Sequence, residues 1–226
     1  MNIAIILTGG NGSRLSSKTP KQFIKINEKE LFIYTLEVFY YHPKIDEIVL
    51  IINKEYIKEY KDILKKYNLT NRVHLVFGGN TRQESTFNAL KYLKETNVAS
   101  DDIIIVHDGA RPLLTSKIID NHLSLISKNK NPISTIINIV DTIVDKDYNL
   151  CDRDNLFCIQ TPQSFLFNQL YKAHIYAKEK DIKNASDDIM LCKINGESID
   201  FIQGDRINFK ITTIGDLELL KKVIKR

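Results

Sequence analysis

Four short aliphatic runs, each followed by a longer stretch with helical spacing, constrain this chain more than any other feature. Ile3–Leu7, Ile48–Ile52, Val73–Phe77 and Ile103–Val106 are rich in Val and Ile and bounded by polar or glycine residues. A strand buried on both faces reads this way, and such strands belong to parallel sheets. Phe32–Tyr41, Tyr56–Tyr67 and Arg82–Glu95 have helical periodicity. The second sets Tyr60, Ile63, Leu64 and Tyr67 on one face, and the third stripes Phe87, Leu90 and Leu93. Strand then helix, repeated, implies right-handed crossovers. The expected fold class is α/β: a Rossmann-like, doubly wound, mostly parallel sheet.

The second half is less regular. Ile118–Ile126 reads as a helix and Ile133–Ile139 as a strand. In Ile139–Asp152, the turn residues Asp145, Lys146, Asp147 and Asn149 separate two extended pieces, so a protruding β-hairpin or arm is expected, spanning about 139–156. Phe165–Lys180 reads as a helix, and Ser198–Gln203 and Asn208–Thr212 read as strands. A final helix follows Thr213, an N-cap with Asp216 three residues on. Ile214, Leu217, Leu220 and Ile224 form its expected buried face. With 226 residues and no linker or repeat, one domain over 1–226 is expected.

Composition removes several function classes. The longest aliphatic run, Ile48–Ile52, is five residues, against about 20 for a membrane span. The first ten residues lack a basic leader. The net charge is +4, from scattered lysines that form no nucleic-acid footprint. Cys151, Cys158 and Cys192 are odd in number and contain no C-x-x-C pair, which argues against a disulfide framework or a cysteine zinc site. A soluble, cytoplasmic protein is the expectation.

The strongest local signal follows the first strand: Thr8-Gly9-Gly10-Asn11-Gly12-Ser13-Arg14. Three glycines in four positions let the backbone approach a ligand, and successive N–H groups make an anion nest. Arg14 adds a fixed fork of donors. Pro20-Lys21-Gln22 brings a second cation. A Walker A loop needs G-K-[ST], which is absent. A dinucleotide fingerprint needs a third glycine where Leu15 stands. The remaining readings are a triphosphate loop of the nucleotidyltransferase kind and an ordinary glycine-rich turn. Asp108 ends an aliphatic strand, where open α/β sheets bind ligands; it reads as a Mg²⁺ ligand or as a turn cap. His107 reads as structural. Asp187 and Asp188 read as a helix start rather than a metal pair.

Taken in order, these segments resemble the 2-C-methyl-D-erythritol 4-phosphate cytidylyltransferase family. The matching motifs are Gly9–Arg14 with Pro20-Lys21-Gln22, Gly78–Ser85, Val106–Pro112, Asp141-Thr142, Asp152-Arg153, Gln160–Phe165, Ser186–Asp188 and Asn208–Thr212. The resemblance implies CMP transfer from CTP to a polyol phosphate in isoprenoid precursor synthesis, with release of pyrophosphate and with Mg²⁺ as cofactor. It implies that Arg14, Lys21 and Lys210 carry catalysis. It assigns Thr8, Gly9, Gly10, Gly12, Gly79, Asn80, Ser85, Asp108 and Gly109 to the nucleotide, with Asp108 also on the metal. It assigns Arg111, Thr142 and Arg153 to the acceptor. Thr142 and Arg153 would reach the acceptor of a neighbouring subunit, so the arm would serve a homodimer with shared sites.

The ribitol 5-phosphate cytidylyltransferases are a close relative and the alternative reading. Val144 stands where the erythritol type usually has lysine, and Gly9-Gly10 and Ser186 are similar to the ribitol type. Val106–Pro112, Asp152–Phe157 and the spacing from Ala173 to Asp188 favour methylerythritol phosphate as acceptor.

Overall fold

The computed structural model describes residues 1–10 and 19–224. In the first half, strands β1 (Asn2–Leu7), β4 (Glu47–Ile52), β5 (Val73–Phe77) and β6 (Ile103–Asp108) alternate with helices α1 (Leu31–Tyr40), α2 (Ile57–Lys66) and α3 (Arg82–Glu95). A small hairpin, β2 (Lys25–Ile26) with β3 (Lys29–Glu30), precedes α1; Asn27 and Glu28 turn it with positive φ. Then come α4 (Ser116–Asn129), β7 (Ile133–Asn138), β8 (Ile143–Val144), β9 (Leu150–Cys151), β10 (Phe157–Leu166), α5 (Phe167–Glu179), α6 (Asp188–Ile194), β11 (Asp200–Gln203) and α7 (Ile214–Ile224).

The main sheet has seven strands in the order β11-β7-β10-β6-β1-β4-β5. The pairs β6–β1, β1–β4, β4–β5 and β7–β11 are parallel, and only β10 runs against its neighbours. Alternate residues of β1 enter opposite layers. Ala4 and Ile6 pack with Phe32, Leu36, Leu64 and Ile119. Ile3 and Ile5 pack with Leu90, Phe165, Leu170 and Leu191. Apolar layers on both faces are the reason these strands need no polar side.

Three expectations are corrected. Phe165 and Leu166 close β10 rather than open a helix, because they pair with Ile104 and Ile103. Asn208–Thr212 forms no strand; Ile211 donates a single backbone hydrogen bond to Ala110, with no ladder around it. Ile214 is 61% exposed, while Leu217 and Leu220 carry the buried face of α7. The cap itself forms as expected. Thr213 Oγ1 accepts from the Asp216 N–H at 3.2 Å, and Asp216 accepts from the Thr213 N–H at 2.7 Å. The arm is a two-stranded sheet of its own, with Ile143 opposite Cys151 and Asp145 holding the turn.

Two histidines are locked into this core as neutral groups. His122 contacts Ser164 Oγ at 2.7 Å and Thr135 Oγ1 at 2.8 Å, and burial pushes its pKa down to about 3. Burial likewise lowers His107 to about 4. The unfolded chain takes up these protons near pH ~6.5 and the folded chain only at lower pH. Stability is therefore complete above that value and is lost as pH falls toward about 3. Melting temperature is expected to drop steadily over that interval; a flat profile would contradict neutral, buried histidines.

Candidate active site

The parallel strands end at one edge, and the sheet reverses its direction of growth beside β1. Open α/β sheets bind ligands at such a point. Here a cleft of about 740 Å³ is lined by Thr8–Gly10, Lys21, Asn53, Lys54, Gly78–Arg82, Ser85, Asp108–Ala110, Lys210 and Thr212, among others. Its described lining carries four cations, Lys21, Lys54, Arg82 and Lys210, against one carboxylate, Asp108. That balance suits a strongly anionic ligand.

Thr8 fixes the floor. Its Oγ1 donates to the Ile51 carbonyl at 2.6 Å, and the buried Tyr60 hydroxyl reaches the Thr8 carbonyl at 3.0 Å. Gly109 must be glycine, since a Cβ would stand 2.4 Å from Thr8 Cγ2. This lets β6 come flush against the end of β1, where the Gly109 N–H donates to the Leu7 carbonyl. Gly79 has the same character: a Cβ there would meet Glu84 Cβ at 2.4 Å. Its N–H donates to Ser85 Oγ at 3.1 Å, and the Asn80 N–H donates to Glu84 Oε2 at 2.7 Å. Side chains from the first turn of α3 thereby hold the loop in shape.

Asp108 is buried at the end of β6 and surrounded by positive charge. Lys210 Nζ lies 2.9 Å from its Oδ2 and Arg111 Nε 3.3 Å from the same oxygen. Burial alone would raise its pKa. The charges of Lys210, Arg82 and Arg111 outweigh burial and hold the carboxyl well below the usual carboxylate range. Lys21 Nζ donates to the Ile211 carbonyl at 2.9 Å, so the segment after β11 anchors one lysine and contributes the other.

The structure thus gathers Thr8, Gly9, Gly10, Lys21, Gly79, Asn80, Ser85, Asp108, Gly109 and Lys210 at one cleft. Gly12 and Arg14 lie outside the described residues. Arg111 is not among the cleft-lining residues; its Nη1 donates to the Asn208 carbonyl at 2.9 Å while Nε holds Asp108. Thr142 and Arg153 lie on the exposed arm, and Arg153 donates to the Val140 carbonyl. Asp187 does start α6, accepting from the Met190 N–H at 2.9 Å. Asp188 does not cap: it is wholly buried, paired with Arg82 and His174. Sequence reasoning missed Lys54 altogether and left Arg82 as a helix start. Arg82 lies within the Gly78–Ser85 motif, but the partner that orients it, Asp188, is 106 positions away.

Residues 2–226 match the profile of the family described as IspD, 2-C-methyl-D-erythritol 4-phosphate cytidylyltransferase. The chain is 38% identical to the enzyme of that name from Thermosipho melanesiensis, covering 97% of this chain and 96% of that protein. It is 37% identical to the one from Clostridium acetobutylicum, covering 100% and 98%. A ribitol-5-phosphate cytidylyltransferase from Lactiplantibacillus plantarum is 31% identical, covering 100% and 99%. Among solved structures, 4-diphosphocytidyl-2C-methyl-D-erythritol synthase from Anaerococcus prevotii superposes with a TM-score of 0.83 at 28% identity, covering 99% of this chain and 96% of that one. A nucleotidyltransferase by sequence and by fold, this chain belongs to the 2-C-methyl-D-erythritol 4-phosphate cytidylyltransferase family.

Proposed function

We propose that the chain transfers CMP from CTP to 2-C-methyl-D-erythritol 4-phosphate, in the cytoplasm and as a step of isoprenoid precursor synthesis. One observation carries this reading: the glycine-rich floor, the Gly79–Ser85 loop, Asp108 and two lysines converge on a single cationic cleft. An acceptor phosphate oxygen attacks the α-phosphorus of CTP. The new P–O bond forms as the bond to the bridging oxygen breaks, and pyrophosphate leaves. An ionised phosphate needs no general base, so the protein's work is positioning and charge stabilisation. Gly79, Asn80 and Ser85 hold cytidine; Lys21, with Arg14, grips the triphosphate. Lys210, more than one-third exposed, exchanges its contact with Asp108 for the α-phosphate.

Asp108 fits a Mg²⁺ ligand. Its carboxyl is kept ionised, and Mg²⁺ characteristically takes one or two carboxylates plus phosphate oxygens rather than a full protein cage. Held by Asp108, Mg²⁺ would supply positive charge that offsets the phosphate charge.

The arm supports a homodimer. Tyr148 and Leu150 are 87% and 77% exposed, and Phe157 and Ile159 leave the arm with their apolar side chains in solvent. Such surface is unusual in a monomer. Thr142 and Arg153 then complete the partner's acceptor site. Arg153→Ala is expected to raise the acceptor KM about tenfold, as loss of a charged contact does, with CTP affinity unchanged. An unaltered acceptor KM would remove Arg153 from the site.

Pyrophosphate release from CTP, measured with each acceptor, tests the function. Release is expected with 2-C-methyl-D-erythritol 4-phosphate and Mg²⁺ together, and not with either omitted. Faster release with D-ribitol 5-phosphate would move the chain to the alternative acceptor, and release with neither would reject the function.

A further inference from the structure

Among the described cleft cations, Arg82 is oriented from within the core. Its Nη1 donates to Asp188 Oδ2 at 2.6 Å, across 106 positions of sequence. Asp188 is fully buried. Its other oxygen meets His174 Nε2 at 3.0 Å, and the His174 ring stacks on Phe87 with centroids 5.7 Å apart and planes 3° from parallel. Gln163 Oε1 accepts from the N–H groups of Asp188 and Ile189, fixing the start of α6. The guanidinium is therefore held from behind by a hydrogen-bonded chain reaching α5 and β10.

Its hydrogen bonding is incomplete. Arg82 lines the cleft with about one-fifth of its side chain exposed. Its Nη2 is withdrawn from solvent and has no acceptor. Buried donors in native proteins are nearly always paired, and an unpaired charged one is costly. A guanidinium that reaches a cationic cleft with one nitrogen held and another lacking an acceptor keeps donor capacity for an incoming phosphate.

We propose that Arg82 is a substrate-phosphate ligand, a further cation of the cleft oriented by Asp188 and His174. The proposal rests on the reading of the cleft as a CTP and polyol phosphate site. Two phosphates meet there, the triphosphate and the acceptor's, and both offer the same oxyanion. Arg82→Gln leaves a buried Asp188 less well paired, so the double variant Arg82→Gln/Asp188→Asn, neutral at both positions, guards against simple misfolding. Arg82→Lys keeps the charge and removes the fork.

The experiment measures CTP and cytidine binding by calorimetry, and the acceptor KM at saturating CTP, for the parent and all three variants. CTP affinity at least tenfold weaker, with cytidine binding unmoved, assigns Arg82 to the triphosphate. An acceptor KM at least tenfold higher, with CTP affinity unmoved, assigns it to the acceptor phosphate. Arg82→Lys is expected to fall between parent and Arg82→Gln in whichever parameter moves. Equal weakening of CTP and cytidine, or no change in either substrate among folded variants, overturns the proposal, since a scaffold residue does not distinguish phosphate from nucleoside. Failure of the parent itself to bind CTP would instead refute the underlying function.

Discussion

Lys210→Ala is expected to lower kcat by about 10²–10³-fold, the scale set by deleting one donor that stabilises developing charge. CTP affinity should change far less, because the lysine is engaged with Asp108 before substrate arrives. The interaction gained at the transition state is then the interaction lost in the variant, and kcat and kcat/KM should fall together. The fold should survive. Lys210 is over one-third exposed, and Arg111 continues to pair with Asp108 at 3.3 Å. Steady-state kinetics beside a thermal melt separate the two effects. A variant with parental kcat, or one that loses activity only by unfolding, would contradict the assignment.

Asp108→Asn is expected to do more damage, and of a different kind. The carboxylate is buried with Lys210 and Arg111 on one oxygen and Arg82 nearby. Neutralising it leaves two contacting cations unmatched, and breaking a buried pair from one side costs about 3–5 kcal/mol. Urea unfolding should show a loss toward the lower end of that range, because Lys210 can turn to solvent. Activity should fall beyond detection by an ordinary steady-state assay, and raising Mg²⁺ should not restore it. The added thermal stability that Mg²⁺ with CTP gives the parent should vanish as well. Full rescue by excess Mg²⁺, or an unchanged stability in urea, would deny Asp108 its central place.

The first half of the fold was legible because strands buried on both faces have no reason to include polar residues. Ile48–Ile52 and Ile103–Val106 are wholly buried where their patterns put them, whereas Val73–Phe77, with His74, is the half-exposed edge strand β5. β10 was hidden by its own chemistry. Gln160-Thr161-Pro162-Gln163 looks like a loop, since proline cannot donate to a ladder. The strand accommodates it by shifting register between Gln160 and Gln163. Buried Gln160, Thr161, Gln163 and Ser164 then serve neighbours: Thr161 Oγ1 accepts from the Asp108 N–H, and Gln163 holds α6. Asn208–Thr212 reads as a strand by its pattern, but its carbonyls and side chains serve Arg111, Lys21 and Asp108 instead of a sheet.

The site was legible to the extent that its residues sit in local motifs. Gly79 and Gly109 announce themselves because tight backbone packing leaves no room for a side chain. What stayed hidden were relations between distant segments. Lys210 meets Asp108 from over a hundred residues away, and Arg82 meets Asp188 from as far. A carboxylate next to a helix start, such as Asp188, reads locally as a cap until the fold turns it inward. Its burial would raise its pKa, yet Arg82 and His174 keep it low. Arg111 carries the same lesson, being tied to Asp108 and Asn208 outside the lining of the cleft.

The reaction proposed for this cleft is attack on the α-phosphorus by an acceptor phosphate. CTP labelled at that phosphorus, incubated with 2-C-methyl-D-erythritol 4-phosphate and Mg²⁺, tests it most directly. The label is expected in the acceptor's new diphosphate, with unlabelled pyrophosphate released in equal amount. Label recovered as free CMP, or retained in CTP while the acceptor is untouched, would contradict it.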